Sequence, residues 1–473
     1  MNKHVYILLL IFIIGFSLQT PIITPIINNS QNNITPLYEA KHKTIPDTLP
    51  WYPIVVFGDN RPENTSDQKL PSIFYKIIEE FDTIQPIAVI GTGDHVGMGY
   101  EYQYEELYRV FNETNLENIW MAIGNHDIDV AEGRSNWAKY IGPEYYYVDD
   151  IPGWRIAVVD SETNLWANWK NQLLAMYENL SNRSLIFVFH RPAFPDVDHN
   201  LASDRINTLL NVFKSNGYPK IVLQGHWHGW AYEIKYNVTW IITGGGGAPL
   251  YTYGVPAPEN GEVVVGKYHY LVLILYPNQT FQFYPVLMGV GSISVDKVNE
   301  TTYIITNNKL DIHGNPVAMP VRIKHVVSGV EIDTVLMAPP KSKVYVTYLI
   351  NGNTVKVLCN ASKWYVYLYD LENPDASPVY TPVDDQVVFT AEIPVETETT
   401  TPTTMPETIS IETNTTTPQT TSKTTTTSTP SKTTTTSTTI KAEEGVDPYV
   451  LAITAIALIL VVGTITWYYM FRR

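Results

Sequence analysis

Residues 118–127 read NIWMAIGNHD, an apolar run that stops on glycine and then presents Asn125, His126 and Asp127. The same arrangement recurs along the chain. YPIVVFGD (52–59) closes on Asp59, PIAVIGTGD (86–94) on Asp94, SLIFVFH (184–190) on His190, and VLQGHWH (222–228) on His226 and His228. Apolar runs of this length predict strands buried on both faces. Between them lie stretches with helical spacing. In DQKLPSIFYKIIEEFD (67–82), Ile73, Phe74, Ile77, Ile78 and Phe81 share one face, with Ser66 or Asp67 as the expected cap. YEYQYEELYRVFNE (100–113), LWANWKNQLLAMYENL (165–180) and ASDRINTLLNVFK (202–214) read the same way. Alternating strands and helices predict an α/β domain, and open α/β sheets gather their sites where strands end.

The residues at those strand ends are metal-ligand types. Oxygen and imidazole donors without thiolates suit Mn, Fe or Zn. Two Asp, one Asn and three His are enough for two ions sharing one carboxylate, an arrangement that clamps the attacking and leaving oxygens of a phosphoryl displacement. Each piece alone has an ordinary reading: Asp59 or Asp94 as a turn residue, Gly-Asn-His-Asp as a plain loop, His190 as a satisfied core histidine. His226-Trp227-His228 is less ambiguous, because alternate residues of an extended segment face one side. Five such pieces in order carry the inference.

This order, Gly58-Asp59, Gly93-Asp94, Gly124-Asn125-His126-Asp127, His190 and Gly225-His226-Trp227-His228, resembles the calcineurin-like metallophosphoesterase superfamily over about residues 51–285. The resemblance implies a β-sandwich flanked by helices and two divalent metal ions. It implies that Asp94 bridges the ions, Asp59 and His228 hold the first, and Asn125, His190 and His226 hold the second. His126 would stand by the phosphoryl group as transition-state stabiliser or proton donor, with Asp127 orienting its imidazole. A hydroxide activated by the metals would attack phosphorus in line, on a phosphomonoester or phosphodiester of a small molecule or oligomer. One departure matters. The usual Asp-x-His of the first motif is here Asp59-Asn60-Arg61, and arginine is not a metal ligand. Arg61 is left to pair with substrate phosphate or to make a structural ion pair, and His95 is a further candidate ligand in place of the missing histidine. The alternative reading is a catalytically weak or inactive surface-binding glycoprotein that keeps a phosphoesterase fold.

The rest of the chain reads as delivery and anchoring. Residues 1–20 form a short basic head and an apolar run, a secretory signal; 21–50 read as a linker and 51–285 as the catalytic domain. Residues 286–395 are Val- and Tyr-rich with an Asn-Gly hairpin signal at 351–352, which predicts a small all-β domain. Residues 396–446 are Thr, Ser and Pro-rich and read as a glycosylated stalk. Residues 447–470 predict a transmembrane helix: Tyr449 to Tyr469 carries no charge and would span about 31 Å. Arg472 and Arg473 in the tail 471–473 place the C-terminus in the cytoplasm and the catalytic domain outside. Eleven Asn-x-Ser/Thr sequons, from Asn28 to Asn414, lie on that outer side. The net charge of −16 argues against nucleic acid as a partner, and the single cysteine, Cys359, excludes an intrachain disulfide framework.

Overall fold

The computed structural model describes residues 34–359 apart from positions 48, 328, 329, 352 and 353, together with the strand backbones Trp364–Leu368, Val379–Val383 and Thr390–Glu392. The signal, stalk and transmembrane segments expected from the sequence lie outside those residues. Among the described residues no helix is long and apolar enough to cross a membrane.

After a single turn, α1 (Leu37–Ala40), the chain alternates as the periodicity predicts. The order is β1 (Tyr52–Phe57), α2 (Ser72–Ile84), β2 (Ala88–Gly91), α3 (Glu101–Asn112), β3 (Ile119–Met121), α4 (Gly133–Tyr140) and β4 (Tyr146–Val148). It continues with β5 (Trp154–Val158), α5 (Trp166–Ala175), β6 (Ser184–Val188), α6 (Ser203–Asn216) and β7 (Ile221–Gln224). Five strands follow without helices: β8 (Trp230–Lys235), β9 (Val238–Thr243), β10 (Gly261–Val264), β11 (His269–Leu275) and β12 (Phe281–Leu287). They form two mixed sheets, one ordered β12-β11-β1-β2-β3 and the other β10-β8-β9-β7-β6-β5-β4.

Strand alternation sorts the side chains into layers. Ile54, Val56, Ile90 and Trp120 of the first sheet meet Ile156, Val158, Ile186, Val188, Leu223 and Ile241 of the second in a shared interior. The opposite faces take helices. Val55, Phe57, Val89 and Met121 pack on Phe74, Ile77 and Phe81 of α2 and on Leu107 and Phe111 of α3. Phe187, Val222 and Trp240 pack on Trp169 and Leu173 of α5 and on Leu209 and Phe213 of α6. With both faces covered, β1, β2, β5, β6, β7 and β9 are buried along their whole length, hence their unbroken apolar reading.

Helix α2 starts at Ser72, not at Ser66 or Asp67. Pro71 sits at its N-cap position, and a residue preceding proline is held out of the helical region, so Leu70 cannot belong to the helix. Pro71 therefore overrides the polar caps upstream of it.

The β-rich segment continues with β13 (Ile293–Lys297), β14 (Thr302–Asn307), β15 (Met319–Val327), β16 (Val330–Ala338), β17 (Ser342–Asn351) and β18 (Thr354–Cys359). Strands β17 and β18 pair antiparallel, with Asn351 opposite Thr354, on either side of the expected turn. This segment is not a separate packing unit, as its distinct composition suggested. Val321, Ile323, Ile332, Leu336 and Val344 share one continuous core with α2 and α3. Ion pairs tie it further: Lys309 Nζ donates to Glu80 Oε1 on α2 at 2.7 Å, while Arg322 and Lys324 both reach Glu117. Composition reveals strand propensity but not which surface a strand face will cover.

Lys309 is fully buried, so its pair with Glu80 is a stability determinant. Burial pushes the Glu80 carboxyl up and Lys309 draws it back down. Lys309→Met leaves that carboxyl buried without its cation and is expected to cost about 3 kcal/mol, read as a lower denaturation midpoint. Adding Glu80→Gln should recover much of the loss, because the orphaned charge is then gone.

Candidate metal centre

Every ligand-type residue picked out at a strand end lies just past the strand that delivers it. Asp59 follows β1, Asp94 follows β2 and Asn125 follows β3, all on the first sheet. His190 follows β6, and His226 and His228 follow β7, on the second. The strand ends converge where the two sheets meet. Ligand atoms of Asp59, Asp94 and His228 lie within 4.8 Å of one another, and so do those of Asp94, His190 and His226. Asp94 belongs to both groups.

Bringing these groups together requires unusual backbone. Asp59 (φ 55°), Asp94 (φ 55°) and His226 (φ 68°) all adopt left-handed conformations, which side-chain-bearing residues rarely do. Each costs on the order of 1–3 kcal/mol, a cost that clusters at functional sites. The flanking glycines follow from close approach. A Cβ on Gly93 (φ 110°) would lie 2.4 Å from the His190 ring, and one on Gly124 would lie 2.2 Å from the Asp94 amide nitrogen.

The donor atoms suit metal ions. Asp94 Oδ2 and Asn125 Oδ1 are buried with no hydrogen-bond partner. His190 Nε2 and His226 Nδ1 face each other at 3.0 Å. Outer partners set the rings: His190 Nδ1–H donates to Thr92 O at 3.0 Å and His228 Nδ1–H to Pro249 O at 2.7 Å. Each such bond fixes the tautomer and turns the other nitrogen toward the site, which is how ligand histidines are oriented. His228 Nε2 then lies 3.5 Å from Asp59 Oδ1 and His190 Nε2 lies 3.2 Å from Asp94 Oδ1. Asp59 also accepts from the His226 backbone N–H at 2.9 Å, locking the two loops together.

The electrostatics show how strongly the cluster attracts positive charge. Burial pulls the His190 imidazole down, but the charge and hydrogen bond of Asp94 outweigh it and hold it up to about 10. Burial pushes Asp94 up, yet His190, His126 and His226 hold it well below the usual carboxylate range. Burial, reinforced by the charge on His190, drives His226 down to about 2. Asp94 is thus held as a carboxylate, the state in which it would bind a divalent cation.

Two expectations need revision. Asp127 does not touch the His126 ring. Its Oδ1 accepts from the backbone N–H groups of His95 (2.8 Å) and Val96 (3.0 Å), and its Oδ2 from that of Gly124 (2.8 Å). It is a buried clamp on the loops that carry Asp94 and Asn125. The carboxylate beside His126 is Asp129, whose Oδ2 lies 3.2 Å from Nδ1, while Nδ1 also sits 2.9 Å from Gly97 O. The only signal available for Asp129 was its place three residues after His126 in a tight turn. His95 does not substitute as a ligand either. Its buried ring lies 2.8 Å from Asn60 Oδ1 and 3.2 Å from Ala122 O. It is committed to the Asn60 that precedes Arg61.

Arg61 approaches the shared carboxylate, with Nε 3.9 Å from Asp94 Oδ2, and donates from Nη1 to Pro62 O. Sequence reading also passed over Arg191. Its Nη1 lies 3.1 Å from His226 Nε2 and its Nε donates to Glu162 at 2.9 Å, so it braces a candidate ligand from behind. It directly follows His190, where nothing in the spacing distinguishes it from a surface arginine. Arg61→His should supply the imidazole the first position lacks. It is expected to tighten binding of the weaker of two Mn²⁺ ions by about tenfold or more, as measured by calorimetric titration.

Residues 52–230 match the family model described as calcineurin-like phosphoesterase. Similar solved structures include GAP50, titled the anchor in the inner membrane complex of Plasmodium. It is 14% identical, with 50% of this chain and 84% of that one covered and a TM-score of 0.41. Another is a putative 5′-nucleotidase from Staphylococcus aureus, 13% identical over 49% of this chain and 52% of that one, with a TM-score of 0.31. A third is vacuolar protein sorting 29 from Cryptosporidium parvum, 13% identical over 61% and 98%, with a TM-score of 0.27. No curated protein matches the chain. The family match runs from the start of β1 to Trp230, the first residue of β8, so all six candidate ligands fall inside it.

Proposed function

We propose that the chain is a metal-dependent phosphoester hydrolase acting outside the cytoplasmic membrane on phosphomonoesters or phosphodiesters. The observation that carries this reading is the shared carboxylate. Asp94 belongs to two groups of metal-competent donors, and its Oδ2, like Asn125 Oδ1, is buried without a hydrogen-bond partner. A bare buried polar atom costs about 1–3 kcal/mol, which a bound cation removes. On this reading Asp59, Asp94 and His228 hold one divalent ion, and Asp94, Asn125, His190 and His226 hold the other, with Mn, Fe or Zn suited to the donors. When bound, such ions lower the pKa of an attacking water and neutralise charge on the phosphoryl oxygens.

The protein's own part is positioning and proton transfer. His126 is fixed by its backbone N–H, which donates to Asp94 Oδ1 at 2.9 Å, and its ring is steered at Nδ1 by Gly97 O and Asp129. That leaves Nε2 to carry a proton to the departing alkoxide, the role of a general acid. Asp127 keeps the loops of Asp94 and Asn125 in register.

The extracytoplasmic location is supported by the signal-like start, the apolar segment near the C-terminus and the glycosylation sequons. All seven sequon asparagines between Asn64 and Asn299 are exposed, as acceptors must be. Arg61 favours one second reading, that of a weakly active or inactive surface-binding glycoprotein, because a fixed cation 3.9 Å from Asp94 competes with the first ion. The deciding experiment strips the purified full-length chain with chelator and restores Mn²⁺, Fe²⁺ or Zn²⁺. Turnover of p-nitrophenyl phosphate or its bis-ester that returns only with metal supports the hydrolase. Stoichiometric metal binding without turnover on a broad phosphoester panel supports the alternative.

A further inference from the structure

A cleft of about 580 Å³ is lined by the α4–β4 connection, the β5–α5 loop and α5, and its volume is that of a small-ligand site. Its lining is rich in side-chain amides. Asn168 and Asn171 lie three apart on α5, a spacing that puts them on one helix face, and Asn164 stands just before the helix. All three are exposed, with no side-chain hydrogen bond among the described residues. Gln172 lies deeper and is 6% exposed. Its Oε1 accepts from the Asp160 N–H at 2.9 Å, while its Nε2 has no partner among the described residues. The α4–β4 connection contributes Tyr145, an aromatic residue 48% exposed. Charge in the cleft is already matched: Arg134 Nη1 bonds both Glu144 and Asp160.

We propose that this cleft is a carbohydrate-binding site and that its occupant is a neutral oligosaccharide. The argument is one of matching chemistry. Each amide presents an acceptor oxygen beside two N–H donors. Adjacent hydroxyls of a sugar ring present donor and acceptor at the same spacing, so one amide serves a pair of them. Tyr145 offers a flat apolar surface to the C–H face of the ring. An anion finds no spare cation, because the one guanidinium in the lining faces two carboxylates. A lipid or an apolar side chain finds amides where it needs hydrocarbon. Asn164 also lines a smaller recess of about 380 Å³ that contains Arg191, whose Nη1 lies 3.1 Å from His226 Nε2. The cleft therefore adjoins the candidate metal centre, yet none of the candidate ligands lines it. Sugar binding there does not depend on the hydrolase reading.

The test is calorimetric titration of the purified full-length chain with mannotriose, maltotriose and chitotriose, each with and without chelator. At least one should bind with a Kd of about 1 mM or tighter, equally well in chelator. Replacing Asn168 and Asn171 together by Ala should weaken that binding about tenfold or more, since at least two hydrogen bonds are lost. Tyr145→Ala should weaken it by a similar factor through the lost apolar contact, and Tyr145→Phe should retain it. The substituted side chains are exposed, so an unchanged circular dichroism spectrum and denaturation midpoint are expected and separate lost contacts from lost fold. Absence of binding for all three sugars overturns the proposal, as does binding that survives both the double Asn variant and Tyr145→Ala. Binding that disappears with chelator assigns the sugar to the metal centre and overturns it too. Phosphoester turnover, present or absent, decides the hydrolase reading separately.

Discussion

Asp94→Ala is expected to abolish hydrolysis and the binding of both metal ions together. Among the described residues Asp94 is the side chain common to the two donor groups, and its Oδ2 has no hydrogen-bond partner. Removing it takes a ligand from each ion and leaves His190 without the carboxylate that sets its charge. Ions of this kind contribute several kcal/mol of charge stabilisation and activate the water, so the expected loss in kcat/KM is about 10⁴-fold or more. Metal analysis of the purified variant should show neither ion at stoichiometric level. Full activity or retention of both ions would remove Asp94 from the centre. The fold should survive, because Asp94 contributes no apolar surface to the layers around it, and a native-like circular dichroism spectrum checks this.

His126→Ala separates chemistry from metal binding. His126 is tied to the site through its backbone N–H, and its ring belongs to neither donor group. Both ions should therefore remain while kcat falls by about 10²–10⁴-fold, the usual worth of a positioned general acid. Leaving groups sharpen the prediction. Alkyl phosphates, whose alkoxide needs a proton, should suffer the whole loss. p-Nitrophenyl phosphate, whose phenolate leaves unaided, should suffer much less. An equal loss on both esters would assign His126 to stabilising charge at the phosphoryl group instead of protonating the leaving oxygen.

Much of this architecture was legible in the sequence. Unbroken apolar runs such as YPIVVFGD and SLIFVFH announce strands covered on both faces, and the ligand-type residues stand two to four positions past the strand ends. A residue so placed has little choice of position, which is why Asp59, Asp94, Asn125, His190, His226 and His228 could be named from spacing and are brought to one place. What spacing does not encode is the direction of a side chain within a loop. Asp127 and Asp129 are equally plausible neighbours of His126 on paper. The backbone turns Asp127 inward onto three N–H groups and leaves Asp129 at the ring. Arg191 was invisible for the same reason. Ser66 and Asp67 are good caps by residue type, but Pro71 sets the start of α2 at Ser72. The β-rich segment was separated on composition, although burial of Val321 and Ile323 against α2 and α3 depends on contacts far apart in the chain.

The ligands are divided between the sheets, three carried by one and three by the other. Any pair of ions held there would therefore rivet the two halves of the sandwich at one end. Unloading them would leave the Asp59 and Asp94 carboxylates without their cations where the two sheets meet. Amide exchange should then quicken at the ends of β1, β2, β6 and β7 well before the distant helices loosen. Cations bound there would double as mechanical fasteners, and a metal-free chain would be easier to prise apart and degrade.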